Sequence, residues 1–125
     1  LLELCGLDAL PLSDGKSFAP LLDDPQQPWK QAAYHVFNRK DESGKLGLVI
    51  GFAVRTDKAR YVEWHRGWSL EGRLVAREFY RYYPNKPDEI ANVIDKPEMQ
   101  ELVTQHVALL RENSAFRSRA EPSGE

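Results

Sequence analysis

Residues 48–56 constrain the fold more than any other stretch, because they are almost unbroken in apolar character. A run of this length and composition is typical of a central β-strand that is covered on both faces. Asp57 and Lys58 follow and predict a tight turn, and residues 60–65 then alternate between polar and apolar side chains. Alternation with a period of two predicts a strand that pairs antiparallel with its predecessor. The middle of the chain is therefore expected to be a β-hairpin.

Two further strands are predicted on either side of this hairpin. Residues 33–37 and 78–83 are rich in the aromatic and β-branched side chains that strands favour, and we interpret these aromatics as sheet packing. Residues 66–76 contain Gly67 and Gly72 and are predicted to form a loop. Pro84 and Pro87 end the last strand, and residues 87–92 are expected to form one helical turn.

One long helix is predicted at the C-terminal side of the sheet. Asp95 and Glu98 stand three residues apart, which is the spacing of a capping box, and the helix should run to about Glu112. The apolar stripe of this helix comprises Met99, Leu102, Val103, His106, Leu109 and Leu110. His106 is interpreted as a histidine at the edge of the core. Because the predicted strands come first along the chain and the long helix comes last, the sequence predicts an α+β fold. This fold is a four-stranded mainly antiparallel sheet with one C-terminal helix packed on a face.

Composition excludes several classes of protein. The 125 residues carry a formal net charge of −2, with no excess of Lys and Arg for binding nucleic acid. The single cysteine, Cys5, excludes an internal disulfide and a CxxC metal site, and we interpret it as a small buried apolar residue. No apolar run approaches the ~18 residues of a membrane span. No nucleic-acid or membrane partner is therefore expected.

Four sequence blocks carry a resemblance to a known family. The first joins L-x-E-L-x-G-L at residues 1–7 to D-G-x-S-hydrophobic-x-P-L-L at residues 14–22, with Gly6 expected to end a helix. The second, at residues 51–64, is G-F-A-V-R-T-D-K-A-R-Y-V-E-W. The third is E-F-Y at residues 78–80, and the fourth is P-x-E-x-x-N-V at residues 87–93. In this order and spacing, the blocks resemble the C-terminal subdomain of sulfatases similar to iduronate-2-sulfatase. Arg81 and Asn85 depart from the family's usual residues, which affects local turn chemistry only.

The resemblance implies a parent enzyme that hydrolyses sulfate esters, with sulfated sugars, including glycosaminoglycans, as the expected substrates. Such sulfatases use calcium and a formylglycine made within a C/S-x-P-x-R motif. Cys5 has no Pro-x-Arg after it, so catalytic and metal residues are expected in an N-terminal catalytic domain, and the isolated chain is expected to be inactive. Residues 1–31 would then be the end of a catalytic-domain helix and a linking loop, 32–112 the subdomain and 113–125 a disordered tail. A parent of this family is expected to be periplasmic or secreted.

The candidate site residues lie at the end of the third strand. Trp64, His65, Arg66 and Trp68 combine indoles, an imidazole and a guanidinium, which would suit a sugar ring with anionic substituents at the rim of a substrate pocket. For Trp64 alone, a place in the core is the competing interpretation. Within the family's turn motif, Glu89 and Asn92 are interpreted as structural.

Arg55 follows the apolar run and is expected to need a partner. Glu63 or Glu78 on a neighbouring strand would form a structural ion pair with it, and contact with a sulfated sugar is the alternative. Two other functions also stay open for the whole chain: a non-catalytic module that binds sulfated carbohydrate, and a fragment of a related phosphoesterase. Because the central strand is apolar on both faces, the chain without a catalytic domain is also expected to hide an apolar patch by self-association, or by folding residues 1–30 back over the sheet.

Overall fold

The computed structural model describes residues 2–8, 10–11, 15–40, 44, 47–84, 90–113 and 116. The chain divides into two compact units, residues 1–30 and residues 31–125. In the described part of the chain, no helix is long and apolar enough to cross a membrane.

The first unit contains two short helical segments. A 3-10 helix spans Glu3–Cys5 and ends at Gly6, whose φ of 68° is left-handed and whose N–H donates to the Glu3 carbonyl at 3.0 Å, as the sequence predicts. Helix α1 spans Pro20–Asp23, within the residues that were expected to form a linking loop. Cys5 is exposed, so the prediction of a buried cysteine is wrong: three residues of 3-10 helix bury none of their side chains.

The second unit contains a four-stranded sheet in the order β1-β2-β3-β4, with every neighbouring pair antiparallel. The strands are β1 at Ala33–Lys40, β2 at Leu48–Arg55, β3 at Ala59–Arg66 and β4 at Arg73–Arg81. Together with one C-terminal helix, this confirms the predicted α+β fold. Strand β4 begins earlier than expected, at Arg73, so the loop after β3 shortens to residues 67–72.

Strand β2 is buried from Val49 to Val54, which confirms a central strand covered on both faces. Its register with β3 pairs Phe52 with Glu63 and Val54 with Tyr61. These residues point toward the C-terminal helix, on the side that we call the helix face. Ala53 pairs with Val62 on the opposite side, which we call the far face.

Helix α2 spans Gln100–Glu112 and follows a 3-10 turn at Pro97–Met99. Its stripe matches the prediction, with Val103, His106 and Leu110 buried and the others partly buried against the core. The predicted capping box is absent. The N-cap residue is Lys96 rather than Asp95, and no side chain makes a capping hydrogen bond there. The Gln100 side chain donates to the carbonyls of Ile94 and Lys96, at 2.7 and 3.3 Å, and so ties the first turn of α2 to the residues before it.

Phe116 extends the core beyond the helix. Its ring is 8% exposed and makes edge contacts with Phe52 and Tyr34, at centroid distances of 5.4 and 5.8 Å. The prediction of a polar, disordered tail from residue 113 is therefore wrong at this position, because a lone aromatic in a polar segment still gains by burial. Residues 114–115 and 117–125 lie outside the described residues.

Candidate functional site

The four predicted site residues do not converge on one surface. Trp64 and His65 are consecutive in β3, so their side chains point to opposite faces of the sheet. His65 is 2% exposed on the helix face, whereas Trp64 is half-buried on the far face. Arg66 ends β3 and is exposed, and Trp68 is 64% exposed in the following loop. His65 therefore cannot contact a ligand directly. A role at the rim of a substrate pocket stays a prediction for Arg66 and Trp68.

Glu63 is the centre of a polar network in the interior of the helix face. Its carboxylate is 3% exposed and accepts a hydrogen bond from the Tyr61 hydroxyl at 2.8 Å. His65 Nε2 lies 2.8 Å from the other carboxylate oxygen, and the Arg111 guanidinium donates to that same oxygen. Burial raises the pKa of the Tyr61 phenol far above its usual range, and the hydrogen bond to Glu63 reinforces this rise. Tyr61 therefore stays protonated and acts as a donor.

His65 positions the loop that follows its own strand. Its Nδ1 donates to the Gly72 carbonyl at 2.8 Å, since a carbonyl can only accept. Arg111 donates to the Leu70 carbonyl of the same loop at 3.1 Å. These two bonds hold the backbone of the loop that carries the exposed Trp68. His65 therefore holds the loop from the interior, which corrects its predicted role in direct contact with a ligand.

Arg55 does not pair with Glu63, which corrects the predicted ion pair. It occupies a far-face position at the end of β2, whereas Glu63 points to the helix face, where Arg111 is its guanidinium partner. Arg55 is exposed, with its guanidinium 5.0 Å from the centre of the Tyr82 ring. The prediction failed because it treated the last residue of a buried strand as buried.

Replacing Arg55 by alanine is expected to lower the free energy of unfolding by less than about 1 kcal/mol, since an exposed cation–π contact contributes little. Urea denaturation of the purified chain at neutral pH measures this change. A loss of several kcal/mol would mean that Arg55 has a buried partner after all.

Asn92 fixes the segment that follows β4. Its Oδ1 accepts from the backbone N–H of Phe79 at 2.9 Å and of Ile94 at 3.1 Å, and its Nδ2 donates to the Arg77 carbonyl at 3.2 Å. These bonds support the structural interpretation of Asn92. Glu89, its predicted companion, lies outside the described residues.

His106 is a satisfied histidine of the core. Its Nδ1 donates to the Leu102 carbonyl at 2.8 Å, so the neutral ring can accept from the Thr56 hydroxyl, 3.0 Å from Nε2. Burial lowers the pKa of His106, and the charges of Arg81 and Lys58 add to this effect. In the described residues, no group of three His, Cys, Asp or Glu side chains could hold a metal ion.

The lowered pKa of His106 predicts how stability depends on pH. Below its ordinary pKa of 6.5, the unfolded chain binds a proton that the folded chain resists. The contribution of neutral His106 is thus complete above about pH 6.5 and is lost as the pH falls toward the folded pKa. Denaturant titrations at a series of pH values measure the slope. A His106→Gln variant should lose this part of the slope, and an unchanged slope would contradict the assignment.

A groove lies on the far face of the sheet. Its volume is about 350 Å³. Its lining residues come from all four strands: His35, Phe37, Arg39, Gly51, Ala53, Arg60, Val62, Trp64, Glu78 and Tyr80. The floor is apolar, and aromatic and charged side chains stand around it.

Gly51 makes room for Trp64 at the floor of this groove. The two residues are partners in the register of β2 and β3, and a Cβ at position 51 would lie 2.8 Å from the indole ring. The indole N–H donates to Glu78 at 3.0 Å, and the Tyr80 hydroxyl donates to the other oxygen of that carboxylate at 3.1 Å. The two rings are therefore held in fixed positions.

Each of these two rings carries a guanidinium. The Arg39 guanidinium lies 5.2 Å from the centre of the Trp64 ring, and that of Arg60 lies 5.0 Å from the centre of the Tyr80 ring. Stacking of this kind holds a flexible arginine in place. Sequence reasoning missed Arg39 and Arg60. The even spacing of Arg60 and Trp64 within β3 could have placed these two on one face, whereas the face of Arg39 depends on the register between strands.

The chain matches none of the protein-family models with which it was compared, and no curated protein shows significant similarity to it.

Proposed function

We propose that this chain is the C-terminal subdomain of a sulfatase similar to iduronate-2-sulfatase. In this proposal, the subdomain supports a catalytic domain and contributes part of the rim of the substrate pocket. The parent hydrolyses sulfate esters of sugars, and its catalytic domain supplies the formylglycine and the calcium site.

The observation that carries the proposal is the contact set formed by the residues of the resemblance. Gly51 and Trp64 stand at the two ends of one block and pack against each other. Trp64 donates to Glu78 of the next block, and Arg60 lies over Tyr80. If the chain preserves the local structure of the family, the residues that it shares with the family are expected to contact one another across the sheet.

Asn92, from the last block, adds to the same contact set by accepting from the Phe79 backbone between Glu78 and Tyr80. The blocks around the sheet are thus linked by hydrogen bonds and ring contacts. A chance match of short motifs gives no reason for such links.

The loop of residues 67–72 is the part that we assign to the rim. His65 and Arg111 fix it from below, and it presents Trp68 beside the exposed Arg66. An indole can stack on a sugar ring, and a guanidinium can bind a sulfate or carboxylate through two parallel hydrogen bonds. This chain is not assigned the reaction itself. Cys5 is followed by Gly6 and Leu7, which does not fit a formylglycine motif.

The test uses the native protein that contains this sequence, captured with an antibody against residues 31–113 and eluted. We expect a mass well above 14.3 kDa, and hydrolysis of an aryl sulfate that a calcium chelator inhibits. The purified 125-residue chain should give no turnover in the same assay.

Three results would overturn the proposal. One is a native protein of about the mass of this chain, and another is a larger protein without sulfatase activity. The third is hydrolysis of aryl phosphate but not aryl sulfate, which would assign the chain to a related phosphoesterase.

A further inference from the structure

The far face carries an excess of positive charge in a chain whose net charge is −2. Its cationic register positions are Arg39, Arg55, Arg60, Arg66 and Arg73. Glu78 is the one acidic residue at the described far-face positions of the four strands. At the described strand positions of this face, positive charge therefore exceeds negative charge.

Two pairs of these arginines are direct cross-strand neighbours. Arg55 stands opposite Arg60, and Arg66 stands opposite Arg73. Like charges directly opposite each other destabilise a sheet. The two pairs concentrate positive charge at two places on the far face.

The groove lies within this field and contains two arginines in prepared positions. Arg39 and Arg60 rest on the rings of Trp64 and Tyr80, and both rings are fixed by their hydrogen bonds to Glu78. Guanidinium groups held in advance lose less conformational freedom when they bind an oxyanion. The Glu78 carboxylate already accepts two hydrogen bonds, which disperse its charge.

We infer that the far-face groove binds a small organic ligand that carries at least two oxyanion groups on a ring-sized scaffold. Its volume of about 350 Å³ lies in the range of ligand pockets, which is roughly 300–1,000 Å³. The floor of Gly51, Ala53 and Val62 offers an apolar surface to the ring, and the two guanidiniums bind the anions. Sulfate, carboxylate and phosphate groups share this chemistry.

Single-stranded nucleic acid fits this groove less well. It binds by stacking its bases on aromatic rings, and the Trp64 and Tyr80 rings are already covered by guanidiniums. The site is also separate from the exposed loop of residues 67–72. The inference rests on residues of this chain alone and does not depend on a sulfatase parent.

The test is calorimetric titration of the 125-residue chain with a disulfated disaccharide, a hexose bisphosphate, inorganic sulfate and a single-stranded RNA of eight nucleotides. We expect one of the two ring ligands to bind at least about tenfold more tightly than inorganic sulfate, and the tighter one identifies the anion. Arg39→Gln and Arg60→Gln should each weaken that binding by about tenfold or more, because each removes a charge-assisted pair. Lys96→Gln is the control, since it removes the same charge at the start of α2 and should leave binding unchanged.

Thermal unfolding of each variant checks that the fold is intact. Arg60→Lys keeps the positive charge but cannot donate two parallel hydrogen bonds to one anion, and it should therefore bind the ligand less tightly than the wild-type chain. The inference would be overturned if inorganic sulfate bound as tightly as the ring ligands, or if the RNA bound more tightly than they do. It would also be overturned if Lys96→Gln lost as much affinity as the arginine variants. Absence of binding to both ring ligands would overturn it as well. Because these measurements use the chain itself, their failure is separate from a failure of the sulfatase proposal.

Discussion

Replacing Glu63 by glutamine is expected to lower the free energy of unfolding by about 1–3 kcal/mol, because Tyr61 loses a buried charged acceptor, whereas the Arg111 side chain is 44% exposed and can be hydrated. The carboxylate accepts from Tyr61 and Arg111 and faces His65, and its side chain is 4% exposed. A glutamine has one acceptor oxygen, and its amide group would face donors. Urea denaturation of the purified variant at pH 7 measures the loss.

Glu71→Gln is the matched control, because it removes the same charge from an exposed position in the adjacent loop. It should change the free energy of unfolding by no more than about 0.5 kcal/mol. Equal effects of the two substitutions would show that Glu63 acts through general charge rather than through its buried bonds.

Replacing Gly72 by alanine is the second change with a large expected effect. A Cβ at this position would lie 2.0 Å from the Arg66 carbonyl oxygen and 3.2 Å from that of Ser69, so the loop must open. Opening it removes the acceptor of His65 Nδ1 and displaces the loop from Arg111. We expect a loss of about 3 kcal/mol or more, in the range of overpacking with broken buried hydrogen bonds. Thermal and urea unfolding of the variant measure this loss.

Gly47→Ala separates this steric effect from the ordinary cost of replacing glycine. Gly47 has a φ of 67°, and a Cβ there would meet nothing within 4 Å. Its replacement should therefore cost only the left-handed backbone strain of about 1–2 kcal/mol. If Gly72→Ala is no worse than this control, the tight loop is not a determinant of stability.

The hairpin of β2 and β3 and the stripe of α2 followed from the sequence because both depend on local periodicity. The alternation in β3 and the repeat from Met99 to Leu110 are visible in a short window, and the buried residues of α2 obey it. Strand ends were less certain, since the start of β4 at Arg73 depends on pairing with Arg66 and on the register shift beside Trp64. Pairing across strands is a tertiary fact that no single segment encodes.

The role predicted for His65 was wrong for a related reason. Proximity in sequence suggested that Trp64 and His65 act together, but the pleat of a strand sends consecutive side chains to opposite faces. The real companions of Trp64 are Arg39 and Glu78, on two other strands. The partner of Glu63 could not be predicted either, because Arg111 lies 48 residues further along the chain.

That long separation has a consequence for the order in which the protein is assembled during synthesis. The four strands pair with their neighbours along the chain, so the sheet can form as each hairpin leaves the ribosome. Glu63 meets its guanidinium only after the last turn of α2 has emerged. Until then, the Glu63 carboxylate and the helix face of the nascent sheet around it are exposed to water. Water can therefore leave the helix face only after the last turn of α2 is present, and Phe116 completes the core after that turn.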